Sequence, residues 1–155
     1  MTRPARVVLD ASVLFAAAGS PQGGSSTAIG LLAGSGDYQV VLSAEILREA
    51  LGNVRLKLGS AALGRLYTLL ATLRPVLVAP DASHPLAQPP PPVAAKDEHV
   101  VRSCLQAGAS VCLTLDRRHL LTADLRRWAI RHHHLRLLTP GEFLAWVRLH
   151  QEGDE

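Results

Sequence analysis

Five short aliphatic runs, at residues 5–9, 39–42, 76–78, 111–115 and 134–138, alternate along this chain with longer segments whose apolar residues recur every three or four positions. Few folds accept that alternation. A strand buried on both faces reads as an unbroken run of Val, Ile and Leu, and consecutive parallel strands need a helical crossover between them. The expected fold class is therefore α/β, a three-layer α/β/α sandwich around a mainly parallel five-stranded sheet. With 155 residues, 48% of them hydrophobic, the chain suffices for one such core and is short for two. Residues 1–150 are read as a single domain and residues 151–155 as a short acidic tail.

The helical segments carry their own punctuation. A short helical turn is expected at 12–18, then a glycine-rich loop at 19–24 and a helix capped by Ser25, Ser26 or Thr27 that Gly34 and Gly36 end. Ser43 caps a longer helix to Leu58, and another spans 61–73. Residues 79–93 hold six prolines and read as a stiff, extended connection across the end of the sheet. Asp97 opens a helix that Gly108 closes, and Thr122 caps one reaching Arg131. In the last helix, Thr139, Pro140 and Glu142 form the N-cap, first-turn proline and reciprocal acid of a capping box.

Composition narrows the setting. Cys104 and Cys112 each lie in an apolar stretch, as buried free thiols do, so a reducing cytoplasm is expected. Asp10 interrupts what would otherwise imitate an export signal, and no apolar stretch approaches a membrane span. The formal charge is +3; once the four carboxylates considered below and the three of the tail are set aside, six acids face sixteen Lys and Arg. A basic remainder suits a polyanionic partner, although ordinary solubilising charge looks the same in composition.

Carboxylates at strand ends are the chemical signal. In open parallel sheets, sites form beyond the carboxyl ends of the strands, where strand order reverses. Asp10 and Asp116 each terminate an aliphatic run, in VVLD and CLTLD, although either could be a loop residue satisfied by nearby amides. At about 100° per residue, Asp97 lies within roughly 10° of the centre of the stripe made by Val100, Val101, Cys104 and Leu105, while Glu98 and His99 point elsewhere. An N-cap at Asp97 is the competing role. Glu49 lies roughly 140° from the apolar stripe of its own helix and Glu45 is no better placed, so periodicity alone makes both solvated. Converging carboxylates repel one another unless a cation neutralises them, and oxygen donors without a His or Cys set suit Mg²⁺ or Mn²⁺.

The segments VVLDASVLFAA, SAEILREAL, KDEHVVRSCLQAGA, TLDRRHLL and TPGEFL, in that order, together resemble the PIN domain family. That resemblance implies an α/β/α nuclease that cuts RNA with Mg²⁺ or Mn²⁺, many such proteins being toxins paired with an antitoxin and many forming homodimers. It implies that the four acids fall on Asp10, Glu49, Asp97 and Asp116, as metal ligands and catalytic groups, and so separates Glu49 from Glu45. Ser12 stands where many relatives have Asn, and its hydroxyl can support the first aspartate. His119 stands where some relatives carry a further acid, which leaves one or two ions open. Thr114 and Arg117 match neighbouring positions that contact phosphate or hold the site; Lys96, Arg117 and Arg118 would guide RNA.

Other features carry less. Three consecutive histidines, His132, His133 and His134, cannot all face one ion. The glycine-rich stretch at 19–30 lacks the lysine of a phosphate-binding loop. Trp128 and Trp146 read as core or interface anchors. A phosphohydrolase using Asp10 as nucleophile would want a D-x-D pair, where Ser12 stands instead. The remaining alternative to an Mg²⁺- or Mn²⁺-dependent endoribonuclease is a PIN-like module that binds RNA or a protein partner without cutting.

Overall fold

A computed structural model describes residues 3–81, 86 and 89–151. The elements run β1 (Ala5–Leu9), α1 (Ala11–Gly19), α2 (Gly24–Gly34), β2 (Tyr38–Ser43), α3 (Ala44–Lys57), α4 (Ser60–Leu73), β3 (Val76–Val78), a 3₁₀ turn (Ala95–Asp97), α5 (Glu98–Ala107), β4 (Val111–Leu113), α6 (Ala123–His133), β5 (Arg136–Leu138) and α7 (Pro140–Gln151). The proline-rich connection falls partly outside the described residues, and the acidic tail beyond Gln151 lies wholly outside them.

All strand pairings are parallel and the spatial order is β3-β2-β1-β4-β5. The chain builds outward from β1 to β3, crosses back, and continues from β4 to β5. Right-handed crossovers then put α1 to α4 on one face and α5 and α6 on the other, giving the α/β/α architecture expected from the alternation. On the first face α1 packs against α2, α3 and α4, and α7 returns to pack on α2. The core strands justify their composition: Val7, Val8, Leu9, Val41, Leu42 and Leu113 are fully buried, as a sheet covered on both sides requires. Strand β3, at the edge, leaves Val76 and Leu77 exposed. Both cysteines are free and buried, and Cys104 beside it pushes the Cys112 thiol up.

Local punctuation differs from expectation at several ends. Helix α2 starts at Gly24, before the hydroxyls expected to cap it; Ser26 Oγ donates to Ala17 O and Ser20 O, and Thr27 Oγ1 donates to Gly23 O. Those hydroxyls act as donors to the preceding turn rather than as acceptors for free amides, so the chain enters the helix earlier. Strand β4 ends at Leu113 rather than at residue 115, because the chain turns out of the sheet to form the tight 116–119 turn. Helix α6 continues to His133 and β5 starts only at Arg136. His134 stops the helix in the left-handed region at φ 51°, with its N–H and that of Leu135 returned to Ile130 O and Ala129 O. His133 meanwhile packs against the buried Trp128, ring centroids 4.8 Å apart.

The capping box of α7 forms as spelled: Glu142 N donates to Thr139 Oγ1 at 3.1 Å and Thr139 N donates to Glu142 Oε1 at 3.0 Å. Arg126 of α6 also donates to both carboxylate oxygens, at 2.8 and 3.2 Å, and tethers α6 to α7. Arg126 first, then the Thr139 groups, hold the Glu142 carboxyl down at about 2. A depressed acid contributes stability above its unfolded value of 4.5 that is lost as pH falls towards about 2. Thermal melts across that window are expected to show a steeper decline for the wild type than for Glu142→Gln, which starts less stable at neutral pH and changes less on acidification.

Candidate metal centre

Parallel strands all present their carboxyl ends to one edge of the sheet, and a helix antiparallel to the next strand begins there too. That edge therefore receives the residue after β1, the residues after β4 and the first turn of α5. The reversal of strand order lies between β1 and β4, which pair directly. A cleft of about 490 Å³ opens at this place, and its walls include Asp10, Glu49, Asp97 and Asp116 together with Ser12, Asn53, Lys57, Lys96, Arg118 and His119.

Asp10 is held by three donors. Its Oδ1 accepts from Ala11 N at 2.8 Å, capping α1, and its Oδ2 accepts from Ser12 Oγ and from Thr114 Oγ1, both at 2.8 Å. Each hydroxyl has one proton, so both are committed to this carboxylate, and their lone pairs are used elsewhere. Ser12 Oγ accepts from Leu115 N at 3.0 Å and Thr114 Oγ1 accepts from Asp116 N at 3.0 Å. The two hydroxyls thus lock the end of β1 to the segment that follows β4. Thr114 is fully buried, which makes it a holder of the site rather than a contact for phosphate.

Asp116 shapes its own turn. Its Oδ1 accepts from Arg118 N at 3.2 Å and His119 N at 3.0 Å, while Oδ2 faces the cleft 3.3 Å from His119 Nδ1. Satisfaction by local amides and a place in the site thus coexist, one on each oxygen. Asp97 resolves differently: its side chain caps nothing, and the 3₁₀ turn before α5 leaves the residue only 8% exposed. Its Oδ2 is buried with no hydrogen-bond partner among the described residues and lies 3.5 Å from His119 Nδ1. Burial first, then the neighbouring Asp116 and Asp10 charges, push the Asp97 carboxyl up, against Lys96 and His119, which pull it down.

Glu49 reaches the same cleft from α3 with its side chain 49% exposed. Burial and the Asp10 charge push its carboxyl up. Glu45, one turn earlier, lies instead on the wall of a neighbouring pocket. His99 sits between these two glutamates, Nδ1 3.6 Å from Glu45 Oε2 and Nε2 3.8 Å from Glu49 Oε2. It points away from the core of its own helix, as the helical angles require, and α3 covers it.

Of the cationic residues singled out in the sequence, Lys96 and Arg118 line the cleft and the exposed Arg117 does not. Sequence reasoning passed over Asn53 and Lys57 and gave His119 no role of its own. Asn53 and Lys57 follow Glu49 at four-residue steps, a spacing that places all three on one face of α3 and is legible in the sequence. Lys57 is steadied by Phe15, its Nζ 5.9 Å from the ring centroid.

The arrangement fits a hard divalent cation. An orphaned buried carboxylate oxygen, repelled by two further acids, is the environment such an ion relieves. Asp97, Asp116 and His119 each offer a donor atom within 4.8 Å of the other two. A family model described as PIN domain matches residues 6–118, a span that holds all four acids and ends one residue before His119. No curated protein matches the chain.

Proposed function

Because this chain belongs to the PIN domain family, whose members are generally metal-dependent nucleases, we propose that it is an Mg²⁺- or Mn²⁺-dependent endoribonuclease that hydrolyses RNA phosphodiester bonds at the cleft between β1, β4, α3 and α5. The observation that carries this reading is the buried Asp97 Oδ2, which has no hydrogen-bond partner among the described residues, beside Asp116 and Asp10.

Asp97 Oδ2 and Asp116 Oδ2, which among the described residues meet only the His119 ring nitrogen, would be the carboxylate oxygens offered to the ion. Asp10 has about one of its four lone-pair positions left after three hydrogen bonds, so its second task is to fix the two hydroxyls and the turn that carries Asp116. When bound, the ion neutralises phosphate charge, stabilises the leaving oxygen and acidifies an attacking water. Glu49, half exposed and with its carboxyl raised, would take the proton of an attacking water as its oxygen bonds to phosphorus and the opposite P–O bond breaks. Lys57, Lys96 and Arg118 ring the mouth and hold the flanking phosphates.

Incubation of the full chain with end-labelled single-stranded RNA is expected to give internal cleavage with Mn²⁺ and none with excess EDTA. RNA held equally well with or without metal, and left uncut, would favour the binding-module alternative. The double variant Lys96→Ala, Arg118→Ala is expected to weaken RNA binding and to flatten the slope of log affinity against log salt by about 0.7 for each phosphate that is no longer neutralised. An unchanged slope would remove these cations from the RNA path.

The same reading includes a cytoplasmic setting, supported by the two free thiols, and no membrane role; no helix among the described residues is long and apolar enough to cross a bilayer. It also includes a homodimer and an antitoxin as protein partners. Support for a contact surface comes from α7, which leaves Leu149 exposed.

A further inference from the structure

We propose that His119 is a nitrogen ligand of the ion, and that it tunes the centre towards a first-row transition metal such as Mn²⁺ and away from Mg²⁺. This rests on the metal-dependent reading above and specifies its ion.

The donor geometry is the first ground. Around a small octahedral ion with ligands at about 2.1 Å, neighbouring donor atoms stand about 3 Å apart. His119 Nδ1 lies 3.3 Å from Asp116 Oδ2 and 3.5 Å from Asp97 Oδ2, a little wider than that spacing, and the donor atoms of the three residues all lie within 4.8 Å of one another, close enough to draw in around one ion. The second ground is the burial of Asp97. Asp97 is more than nine-tenths buried, and the oxygen it turns towards His119 has no hydrogen-bond partner among the described residues. A buried acceptor left open beside two other donor atoms has the chemistry of a metal ligand.

The position of the ring is itself enforced. His119 N donates to Asp116 Oδ1, and Leu120 N and Leu121 N both return to Asp116 O. That turn carries the imidazole back over the aspartate that begins it, while the ring stays about one-third exposed and open to the cleft. An oxygen-only set suits Mg²⁺, which sheds its waters reluctantly; replacing one oxygen by imidazole favours the softer ions.

The test uses the full chain loaded with Mn²⁺, read by electron spin-echo envelope modulation for ¹⁴N coupled to the ion, and by competition of Mg²⁺ against Mn²⁺. The wild type is expected to show imidazole nitrogen coupling, and both His119→Asp and His119→Leu to lose it. His119→Asp is also expected to lower the preference for Mn²⁺ over Mg²⁺ by at least about tenfold. The uncharged His119→Leu keeps the nitrogen readout valid if added charge unfolds the aspartate variant. Mn²⁺ bound without nitrogen coupling, or coupling that survives both substitutions, overturns the role of His119 and leaves the carboxylate centre standing. Absence of Mn²⁺ binding in the wild type overturns both.

Discussion

Asp97→Asn is expected to cut metal-dependent RNA cleavage by about 100-fold or more, since a ligand to a catalytic ion contributes several kcal/mol and each 1.36 kcal/mol is a decade of rate. The same substitution is expected to raise the melting temperature in EDTA. The sign follows from the carboxyl being raised above its ordinary value of 3.8. A raised acid favours folding only while protonated, so its contribution is lost as pH rises through the folded value, and at neutral pH the ionised group is a liability that the amide lacks. Each kcal/mol so relieved is worth about 2–4 °C in a chain of this size. Saturating Mn²⁺ stabilises only the form that binds it, by about 2.7 kcal/mol at a hundredfold excess over the dissociation constant. The order of the two melting temperatures should therefore invert when Mn²⁺ is added. Melts in EDTA and in Mn²⁺ check this directly, and an order that never changes would contradict it. Asp10→Asn is a poorer probe, because an amide at that place cannot accept from two hydroxyls and from Ala11 N at once.

Thr114→Val, nearly isosteric and far from solvent, is expected to be the costliest single change at the site that touches no charge. It removes a donor from Asp10 Oδ2 and leaves the Asp116 N–H facing a methyl group. An unsatisfied buried partner costs about 1–3 kcal/mol, equivalent to a loss of roughly 2–12 °C. Cleavage should fall by about 10- to 100-fold as well, since the groups that orient metal ligands carry effects of that size. Thr114→Ser keeps the hydroxyl and is expected to recover most of the activity while remaining slightly less stable. Equal losses in the valine and serine variants would show that packing of the methyl matters and the hydroxyl does not.

Much of the frame is readable from residue order alone. Aliphatic runs without alternation name the strands, and a strand that ends in Asp already states which edge of the sheet the side chain occupies. The capping box at Thr139 and the buried stripe containing Asp97 are equally plain, because caps and helical period act within a few residues. What periodicity does not supply is Glu49. A helical stripe reports which face meets the core, and the side of α3 that faces the cleft meets water in part, so its carboxylate looks like any solvated acid. His119 is harder still: it enters the cleft through a tight turn of hydrogen bonds to Asp116, and a turn has no period to read. The serines near the start of α2 mislead for a related reason. A hydroxyl can donate or accept, and only the placement of Ala17 O and Ser20 O decides which.

The central claim, that acids distant in the chain share one hard cation, is tested most directly by anomalous diffraction from crystals grown with Mn²⁺. The account predicts a single strong peak among the Asp97, Asp116 and Asp10 oxygens, within bonding distance of Asp97 Oδ2, the oxygen without a hydrogen-bond partner among the described residues. A protein saturated with Mn²⁺ elsewhere, with those oxygens still unligated, would contradict it.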